Sequence, residues 1–384
     1  MNHILNNRDG RKVAVIVNDM SEVNIDADLI KFGDSNLSRT DEKLVEMSNG
    51  CICCTLPEDL LIQVRKLAEE GKFDYLLIES TGISEPLPVA ATFDFRDEYG
   101  RSISDVSQLD TMVTVVDTSN LINNYHSTDF LRDRGESIGE EDDRTLVDLL
   151  VEQIEFANVV ILNKTDLVSN EELQQVKAMV RGLNAKTKII KSKQCNIDIS
   201  EVLNTGKFDF YEAQDHPLWA HELFNFKDPV PEVEEYGIIS FVYRERLPFH
   251  PSKIHSFFKE RWAGVLRAKG LFWISTRPDL VGEISQAGAF SQHKGMGMWL
   301  AGTPEAERPK DPENEAEIQA HWDQELGDRR QEIVFIGLKK DMDEKTIRDQ
   351  LDACLIKDYL SDKKSYLKLY DPFPEWLQEE SLTQ

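Results

Sequence analysis

The chain has 384 residues, enough for two or three domains of about 150 residues each, and it is strongly acidic. Seventy Asp and Glu residues stand against 44 Lys and Arg residues, and the net charge of −26 disfavours nucleic acids and anionic membrane surfaces as partners. No apolar run approaches the roughly 20 residues of a membrane span, and the first residues lack the apolar core of a signal peptide. We therefore expect a cytoplasmic protein whose five cysteines stay reduced.

The first half of the chain alternates short apolar segments with helical ones, up to about residue 195. The predicted strands are Val13–Val17, Leu76–Ile78, Val113–Val116, Val159–Leu162 and Ile189–Ile190. The predicted helices are Leu60–Ala68, Arg144–Phe156 and Glu171–Leu183. Near-continuous apolar strands with helical crossovers indicate an α/β fold with a parallel sheet covered on both faces. Ligands of such sheets bind at the carboxyl ends of the strands.

The second half of the chain predicts a smaller α+β domain. We place the first domain at residues 1–205, a linker at 206–235, the second domain at 236–370 and a frayed acidic tail at 371–384. The second domain is predicted to contain a helix at Pro251–Phe258 and strands at Ile238–Arg244, Gly270–Ser275 and Glu332–Gly337. Two polar segments are expected to be exposed loops, Arg132–Arg144 and Gly302–Gln319.

Three of the five cysteines, Cys51, Cys53 and Cys54, fall within four positions of a Gly-led turn. Three thiolates at this spacing can bind one small soft cation, for which tetrahedral Zn²⁺ is the usual match. A fourth ligand must come from elsewhere, and Glu22 is our candidate, although an ordinary polar loop explains Glu22 equally well. Two other interpretations of the cysteines stay open. They are burial as small apolar residues, and redox chemistry at the CxxC spacing, against which the third adjacent thiol argues.

The segment Asn163–Asp166 (NKTD) follows a predicted strand and precedes a predicted helix, as the NKxD motif of guanine-nucleotide proteins does. The Asp166 carboxylate can accept hydrogen bonds from the ring N–H and the exocyclic amine of guanine, which adenine does not offer. Asn163 would contact the base edge or tie loops together, and Lys164 would lie along the ring. A simple turn or helix cap is also compatible with these four residues.

Polar residues follow two further predicted strands. Glu79 and Gly82 follow Leu76–Ile78, where an acid can orient Mg²⁺ or its waters and a glycine lets a backbone N–H approach a γ-phosphate. Strand-end acids and turn glycines are common, so this pair is weak evidence by itself. Asp117 occupies the equivalent position after Val113–Val116, and we assign it a structural role.

The motifs together resemble one family. GCICC at residues 50–54, ESTG at 79–82 and NKTD at 163–166 resemble, in this order, the CobW-type family of P-loop GTPases of the SIMIBI class, and within it the zinc metallochaperone branch. The segments Gly264–Gly270 and Gly327–Gly337 are similar to the family's C-terminal domain. The resemblance implies that the metal ligands are Cys51, Cys53 and Cys54. It implies a Walker-B-like pair at Glu79 and Gly82, and guanine recognition by Asn163, Lys164 and Asp166.

The resemblance also implies a function, namely GTP hydrolysis that drives zinc transfer. Zn²⁺ and GTP with Mg²⁺ would be bound, and zinc would pass to a zinc-requiring client protein when GTP is hydrolysed, through an order-to-disorder switch. The client and the oligomeric state are not implied.

The chain departs from this family at one point, because its 384 residues contain no GxxGxGK[ST] phosphate loop. The family's preceding strand would be internal to the sheet, so we expect a slot beside Val13–Val17 and Val113–Val116. We expect weak GTP binding and no hydrolysis, and we interpret Met1 as a misplaced or internal start, or a truncation, rather than an adaptation. The alternative function is a non-hydrolysing module that binds zinc and a client protein.

Overall fold

The computed structural model describes two compact units, each considered by itself. One consists of Met1–Lys177 with Lys186–Pro217, and the other of Ala178–Ala185 with Leu218–Gln384. The described residues within them are 3–4, 11–18, 43–47, 57–80, 86–93, 95–127, 129–131, 145–209, 237–304, 308 and 322–376. Within these ranges, no helix has both the length and the apolarity that a membrane crossing requires.

The described strands of the first unit form two parallel sheets. These strands are β1 (Val13–Asn18), β2 (Lys43–Met47), β3 (Tyr75–Glu79), β4 (Val113–Asp117), β5 (Val159–Asn163) and β6 (Lys188–Lys191). One sheet has the order β2-β1-β3 and the other β4-β5-β6, with every pair parallel. The parallel α/β fold is thereby confirmed, with all five predicted strands present. β2 was missed because its central apolar pair, Leu44 and Val45, lies between charged residues.

Helices alternate with these strands. They are α1 (Pro57–Glu70), α2 (Pro86–Ala91), α3 (Leu121–Tyr125), α4 (Leu146–Glu155) and α5 (Asn170–Leu183), with 3₁₀ turns at Ile103–Asp105 and Ile199–Glu201. The three helices predicted from periodicity correspond to α1, α4 and α5. α5 begins where it does because Ser169 and Glu172 form a capping box. The Ser169 Oγ accepts from the Glu172 N–H at 3.2 Å, and the Glu172 carboxylate accepts from the Ser169 N–H at 2.8 Å.

A gap separates the two sheets, and its position differs in part from the slot expected from the sequence. β4 borders the gap as expected, but β1 is paired on both sides, with β2 and β3. The expectation of a slot beside Val13–Val17 is therefore wrong, because β3 lies between β1 and the gap. A cavity of about 1050 Å³ lies between β3 and β4. The error arose because the order of strands along a chain does not fix their order in a parallel sheet.

The second unit is built on an antiparallel sheet, which confirms an α+β domain. Its strands are β7 (Ile238–Glu245), β8 (Val265–Phe272), β9 (Leu280–Ala287), β10 (Phe290–Met298) and β11 (Gln331–Leu338), in the order β10-β9-β8-β11-β7. Its helices are α6 (Pro251–Phe258), α7 (Glu344–Cys354) and α8 (Lys363–Tyr366), with 3₁₀ turns at Leu300–Gly302 and Tyr359–Ser361. Phe249, Phe272 and Phe335 are fully buried in its core.

The strand predicted at Gly270–Ser275 is displaced, since β8 runs from Val265 to Phe272. Gly270 lies inside the strand with φ +156, and a Cβ there would come within 2.1 Å of the Glu332 carbonyl oxygen. Glycine is thus required by the close approach of β11, whereas the sequence pattern treats it as a strand boundary.

The first residues of the predicted tail are packed rather than frayed. Asp371 accepts from the Arg277 Nε at 2.8 Å, Phe373 is buried, and Trp376 fits against Gly282 and Gly295, where a side chain would collide with it. Residues 377–384 lie outside the described residues, as do Arg132–Arg144, most of the predicted linker and most of Gly302–Gln319.

Candidate functional site

Polar side chains lie at the carboxyl ends of three described strands of the first unit. Glu79 ends β3, Asp117 ends β4 and Asn163 ends β5. The register of β4 and β5 places Asp117 directly opposite Asn163. The sheet therefore brings the predicted NKxD segment and an acid from the neighbouring strand to the same edge, where parallel sheets bind ligands.

Asn163 ties the loop after β5 to the loop after β6. Its Oδ1 accepts from the Ser192 Oγ at 3.0 Å and from the Cys195 N–H at 2.8 Å. Thr165 adds two further contacts to the Ser192 carbonyl oxygen, from its N–H at 3.2 Å and its Oγ1 at 3.0 Å. These bonds hold the two loops as one surface, and contact of Asn163 with a base edge stays a prediction.

Lys164 has an uncommon backbone conformation, and its side chain is paired with Asp117. Its φ is +60, a left-handed conformation that costs a non-glycine residue roughly 1–3 kcal/mol. Its Nζ donates to the Asp117 Oδ2 at 2.7 Å, although 48% of the lysine side chain remains exposed. The ion pair therefore restricts the direction of a side chain that is about half exposed.

The Asp117 carboxylate accepts hydrogen bonds on both oxygens. Besides Lys164, the Ser119 N–H at 3.0 Å, the Ser119 Oγ at 2.6 Å and the Asn120 Nδ2 at 2.9 Å all donate to it. Partial burial raises its pKa, but these donors outweigh that effect and lower the pKa of Asp117 to about 2. The structural role predicted from the sequence for Asp117 does not include this contact with Lys164. The available signal was an acid at the end of the neighbouring strand.

Asp166 lies on the turn after Lys164, which is closed by a hydrogen bond from the Leu167 N–H to the Lys164 carbonyl oxygen at 3.0 Å. Asp166 is exposed, and so is Leu167, at 65%. Asp166 is thus an exposed carboxylate two residues after Lys164, next to the loops that Asn163 connects. The role of Asp166 itself stays a prediction.

Glu79 and Ser80 line the cavity between β3 and β4, and Glu79 is half-buried. Cys195 lines the same cavity. Gly82, the second residue of the predicted Walker-B-like pair, lies outside the described residues.

The predicted metal ligands Cys51, Cys53, Cys54 and Glu22 also lie outside the described residues, so the zinc site stays a prediction. Across the part of the chain that the structure describes, no three His, Cys, Asp or Glu side chains form a group that could hold a metal ion. The two described cysteines, Cys195 and Cys354, are free thiols.

Two family models match the chain. The CobW/HypB/UreG nucleotide-binding domain matches residues 1–191, and the cobalamin synthesis protein cobW C-terminal domain matches residues 238–355. A Dictyostelium discoideum relative, "Zinc-regulated GTPase metalloprotein activator 1", is 45% identical over 368 residues, which are 93% of this chain and 77% of the relative. The chain belongs to the CobW family. Glu79 and the NKxD segment both fall within the match to the family's nucleotide-binding domain.

Two further proteins are similar to the chain at lower identity. "Zinc chaperone CobW" of Sinorhizobium sp is 29% identical over 57% of this chain and 63% of the relative, so the shared part is less than two thirds of that protein. The Zn(II)-bound YjiA GTPase from E. coli is a solved structure with 19% identity and a TM-score of 0.37, covering 92% of both chains. That TM-score is too low for any site geometry to be transferred.

Proposed function

We propose that this CobW-family chain is a GTP-dependent zinc chaperone that transfers Zn²⁺ to a client protein when GTP is hydrolysed. The observation that carries the proposal is the arrangement at the end of β5, where Asn163 holds two loops together and Asp117 orients Lys164. The names of the relatives, a zinc-regulated GTPase metalloprotein activator and a zinc chaperone, support the same function.

In this proposal the NKxD segment reads guanine. Asp166 accepts from the ring N–H and the exocyclic amine, and Lys164 lies along the ring because Asp117 fixes its ammonium group. Adenine offers a different pattern of donors and would leave the Asp166 carboxylate unpaired, which penalises the wrong base. Asn163 keeps the two base-contacting loops together through Ser192 and Cys195.

Zinc is the cargo, and Cys51, Cys53 and Cys54 are the proposed ligands, with Glu22 as the fourth. Three thiolates leave one tetrahedral position, and a hard oxygen ligand there is more easily replaced than a fourth sulfur. Because the oxygen ligand can be replaced by a ligand from a client protein, the zinc ion can be transferred to that client.

Glu79 and Gly82 are the proposed hydrolysis pair. Mg²⁺ prefers oxygen ligands and offsets phosphate charge when bound, and the half-buried Glu79 carboxylate at the end of β3 is a suitable oxygen donor to the ion or its waters. Gly82 would let a backbone N–H approach the γ-phosphate.

The test of guanine recognition replaces Asp166 with Asn in a chain extended at its N-terminus by an apolar strand and a GxxGxGK[ST] loop. Loss of a charged hydrogen-bond acceptor should weaken binding of a fluorescent GTP analogue by roughly 10- to 100-fold, and xanthine nucleotide should then compete, because the Asn amide donates where the carboxylate accepted. Glu171→Gln, an exposed acid in the first turn of α5, is the matched control and should bind GTP normally. Equal losses for both nucleotides in Asp166→Asn would contradict base recognition.

The second candidate is a module that binds zinc and a client protein without turnover. This candidate requires no GxxGxGK[ST] loop, which supplies the strongest phosphate contacts of a P-loop GTPase. Zinc binding by the 384-residue chain, with no GTP hydrolysis by it or by the extended chain, would support this candidate over the first.

A further inference from the structure

Residues 371–376 of the second unit, which we call the strap, follow α8 and form neither helix nor strand. Arg277 holds the strap at several points. Its Nε donates to the Asp371 carboxylate at 2.8 Å, and its two Nη groups donate to the carbonyl oxygens of Pro374 at 2.6 Å and Phe373 at 2.8 Å. One arginine therefore fastens both a side chain and the backbone of the strap.

Two glycines make room for the strap on the sheet. A Cβ at Gly295 would lie 2.5 Å from the Trp376 Cβ, and a Cβ at Gly282 would lie 2.8 Å from the Trp376 ring. The Arg277 guanidinium lies 4.7 Å from the centroid of that ring, and Phe373 is buried. β9 and β10 therefore carry a seat that is shaped to the two aromatic rings of the strap.

Two histidines contact the buried ring of the strap. His255 on α6 and His293 on β10 each meet Phe373 nearly edge to face, with ring centroids 5.1 Å and 4.8 Å apart, respectively. The two imidazole rings are themselves 5.8 Å apart. The docked strap thus lies against two groups that can each bind a proton near physiological pH.

The charged groups that face these histidines are mainly basic. Lys259 faces both, Arg277 faces His293, and Asp371 faces His255. Burial, together with the basic neighbours, lowers the pKa of both imidazoles below the ordinary value of 6.5. Asp371 favours the charged form of His255, but its carboxylate is already paired with Arg277. Protonation of both histidines would place two further cations beside Lys259 and Arg277.

The docked strap also leaves polar atoms buried without partners. The Nδ1 of His293 and the Nε1 of Trp376 have no hydrogen-bond partner among the described residues, and neither has the Oγ of Ser291 on β10. A buried unpaired polar group is costly, whereas the same group can bond to water once it is exposed. Docking therefore carries a cost that release of the strap relieves.

We propose that the strap is a proton-operated latch, docked while His255 and His293 are neutral and released when both are protonated. Because docking lowers the pKa of both imidazoles, docking is strongest above their ordinary pKa of 6.5 and weakens as the pH falls below it. Release is coupled to the uptake of two protons, so it should depend more steeply on pH than the titration of one group. The latch requires neither nucleotide nor zinc and is independent of the proposed function.

The experiment follows Trp376 in the 384-residue chain labelled with 5-fluorotryptophan. The fluorine NMR resonance of Trp376 is assigned with Trp376→Phe, and the labelled hexapeptide of residues 371–376 gives the position of a released strap. As the pH falls from about 7.5 to about 5.5, this resonance should move to the peptide position with a midpoint below 6.5 and a slope above one proton, while the other Trp resonances stay in place. No movement, a one-proton slope, or movement of all six Trp resonances together would overturn the proposal.

Uncharged variants test whether the histidines are the cause. His255→Gln and His293→Gln each leave one group to bind a proton, so each should lower the midpoint by about 0.5 pH units or more and reduce the slope to one proton. His126→Gln is the matched control, since His126 also meets an aromatic ring nearly edge to face, Tyr125 at 5.8 Å, but lies in the first unit. Midpoints that stay unchanged or rise in both second-unit variants, or that fall equally in His126→Gln, would contradict the latch.

A fixed charge tests the same point at neutral pH. His293→Lys places a permanent cation at the seat, so the Trp376 resonance should already lie at the released position. His293→Gln removes the same ring without adding charge and should keep Trp376 docked at this pH. A docked Trp376 in His293→Lys, or a released one in both variants, would overturn the proposal. Movement of every Trp resonance in His293→Lys would show unfolding, and the midpoints of the Gln variants then decide.

Discussion

Replacing Asp117 with Asn removes the ion pair to Lys164 while keeping the shape of the side chain. The folded pKa of Asp117 is about 2 against an ordinary value of 3.8, and this difference corresponds to about 2.4 kcal/mol at neutral pH before screening. The side chains of Lys164 and Asp117 are 48% and 28% exposed, so solvent screening reduces the expected loss to roughly 1–1.5 kcal/mol. We expect Asp117→Asn to destabilise the first unit by that amount at pH 7.

The loss of stability in Asp117→Asn should depend on pH in the direction that the pKa shift of Asp117 sets. Because folding lowers the pKa of Asp117, the stabilisation is fully present above the unfolded value of 3.8 and is lost as pH falls toward about 2. The difference between wild type and Asp117→Asn should therefore shrink to about half by pH 3.

The distribution of tryptophans makes the measurement selective. All six Trp residues lie at or after position 219, in the second unit. Urea unfolding followed by Trp fluorescence therefore reports the second unit and serves as an internal control, while far-ultraviolet circular dichroism reports both units. Asp117→Asn should shift only the transition that lacks a Trp signal.

A double-mutant cycle with Lys164→Met tests whether the ion pair is the cause. If it is, the two substitutions are not additive, since each removes the same interaction. Additive losses, or a loss from Asp117→Asn that is as large at pH 3 as at pH 7, would refute the reasoning.

The remaining predictions concern zinc, the loop contacts and hydrolysis. Cys53→Ser should lower zinc affinity, measured in competition with a chromogenic chelator. The loss of a metal ligand should cost at least the roughly 10- to 100-fold that the loss of an outer-shell partner costs. Cys354→Ala should leave zinc affinity unchanged, and unchanged affinity in Cys53→Ser would remove Cys53 from the site. Asn163→Ala should destabilise the first unit by roughly 1–3 kcal/mol in urea unfolding, because the part-buried acceptor for Ser192 and Cys195 is lost. A neutral effect would mean that these bonds do not hold the loops. The 384-residue chain should hydrolyse no GTP in a phosphate-release assay, and turnover that Glu79→Ala abolishes would show that another segment replaces the phosphate loop.

The strands of the first unit were predictable because each buried parallel strand is a continuous apolar run, as Val159–Leu162 illustrates. In the second unit, β9 and β10 were missed because glycines and polar residues interrupt them. Glycine is required at positions 282 and 295 because Trp376 packs against both. The polar residue His293 lies on β10 together with Gly295. That packing joins residues far apart in the chain, and no local pattern encodes it.

The candidate site, like the fold, could be predicted from the sequence only in part. Asn163, Lys164 and Asp166 form a contiguous motif and were found from the sequence. The contact of Asp117 with Lys164 depends on the register of β4 against β5, and the contact of Asn163 with Cys195 depends on the loop after β6. The gap between β3 and β4 likewise depends on strand order, which the sequence pattern leaves open.

The most direct test of the central claim, that nucleotide state controls zinc transfer, is a zinc competition titration of the N-terminally extended chain. It is run with a non-hydrolysable GTP analogue and with GDP, alongside the 384-residue chain. Since coupling between two sites is reciprocal, nucleotide state must change zinc affinity if zinc binding depends on nucleotide. We predict tighter zinc binding with the GTP analogue than with GDP in the extended chain, and no difference in the 384-residue chain. Equal zinc affinities in the two nucleotide states of an extended chain that binds both nucleotides would contradict the claim.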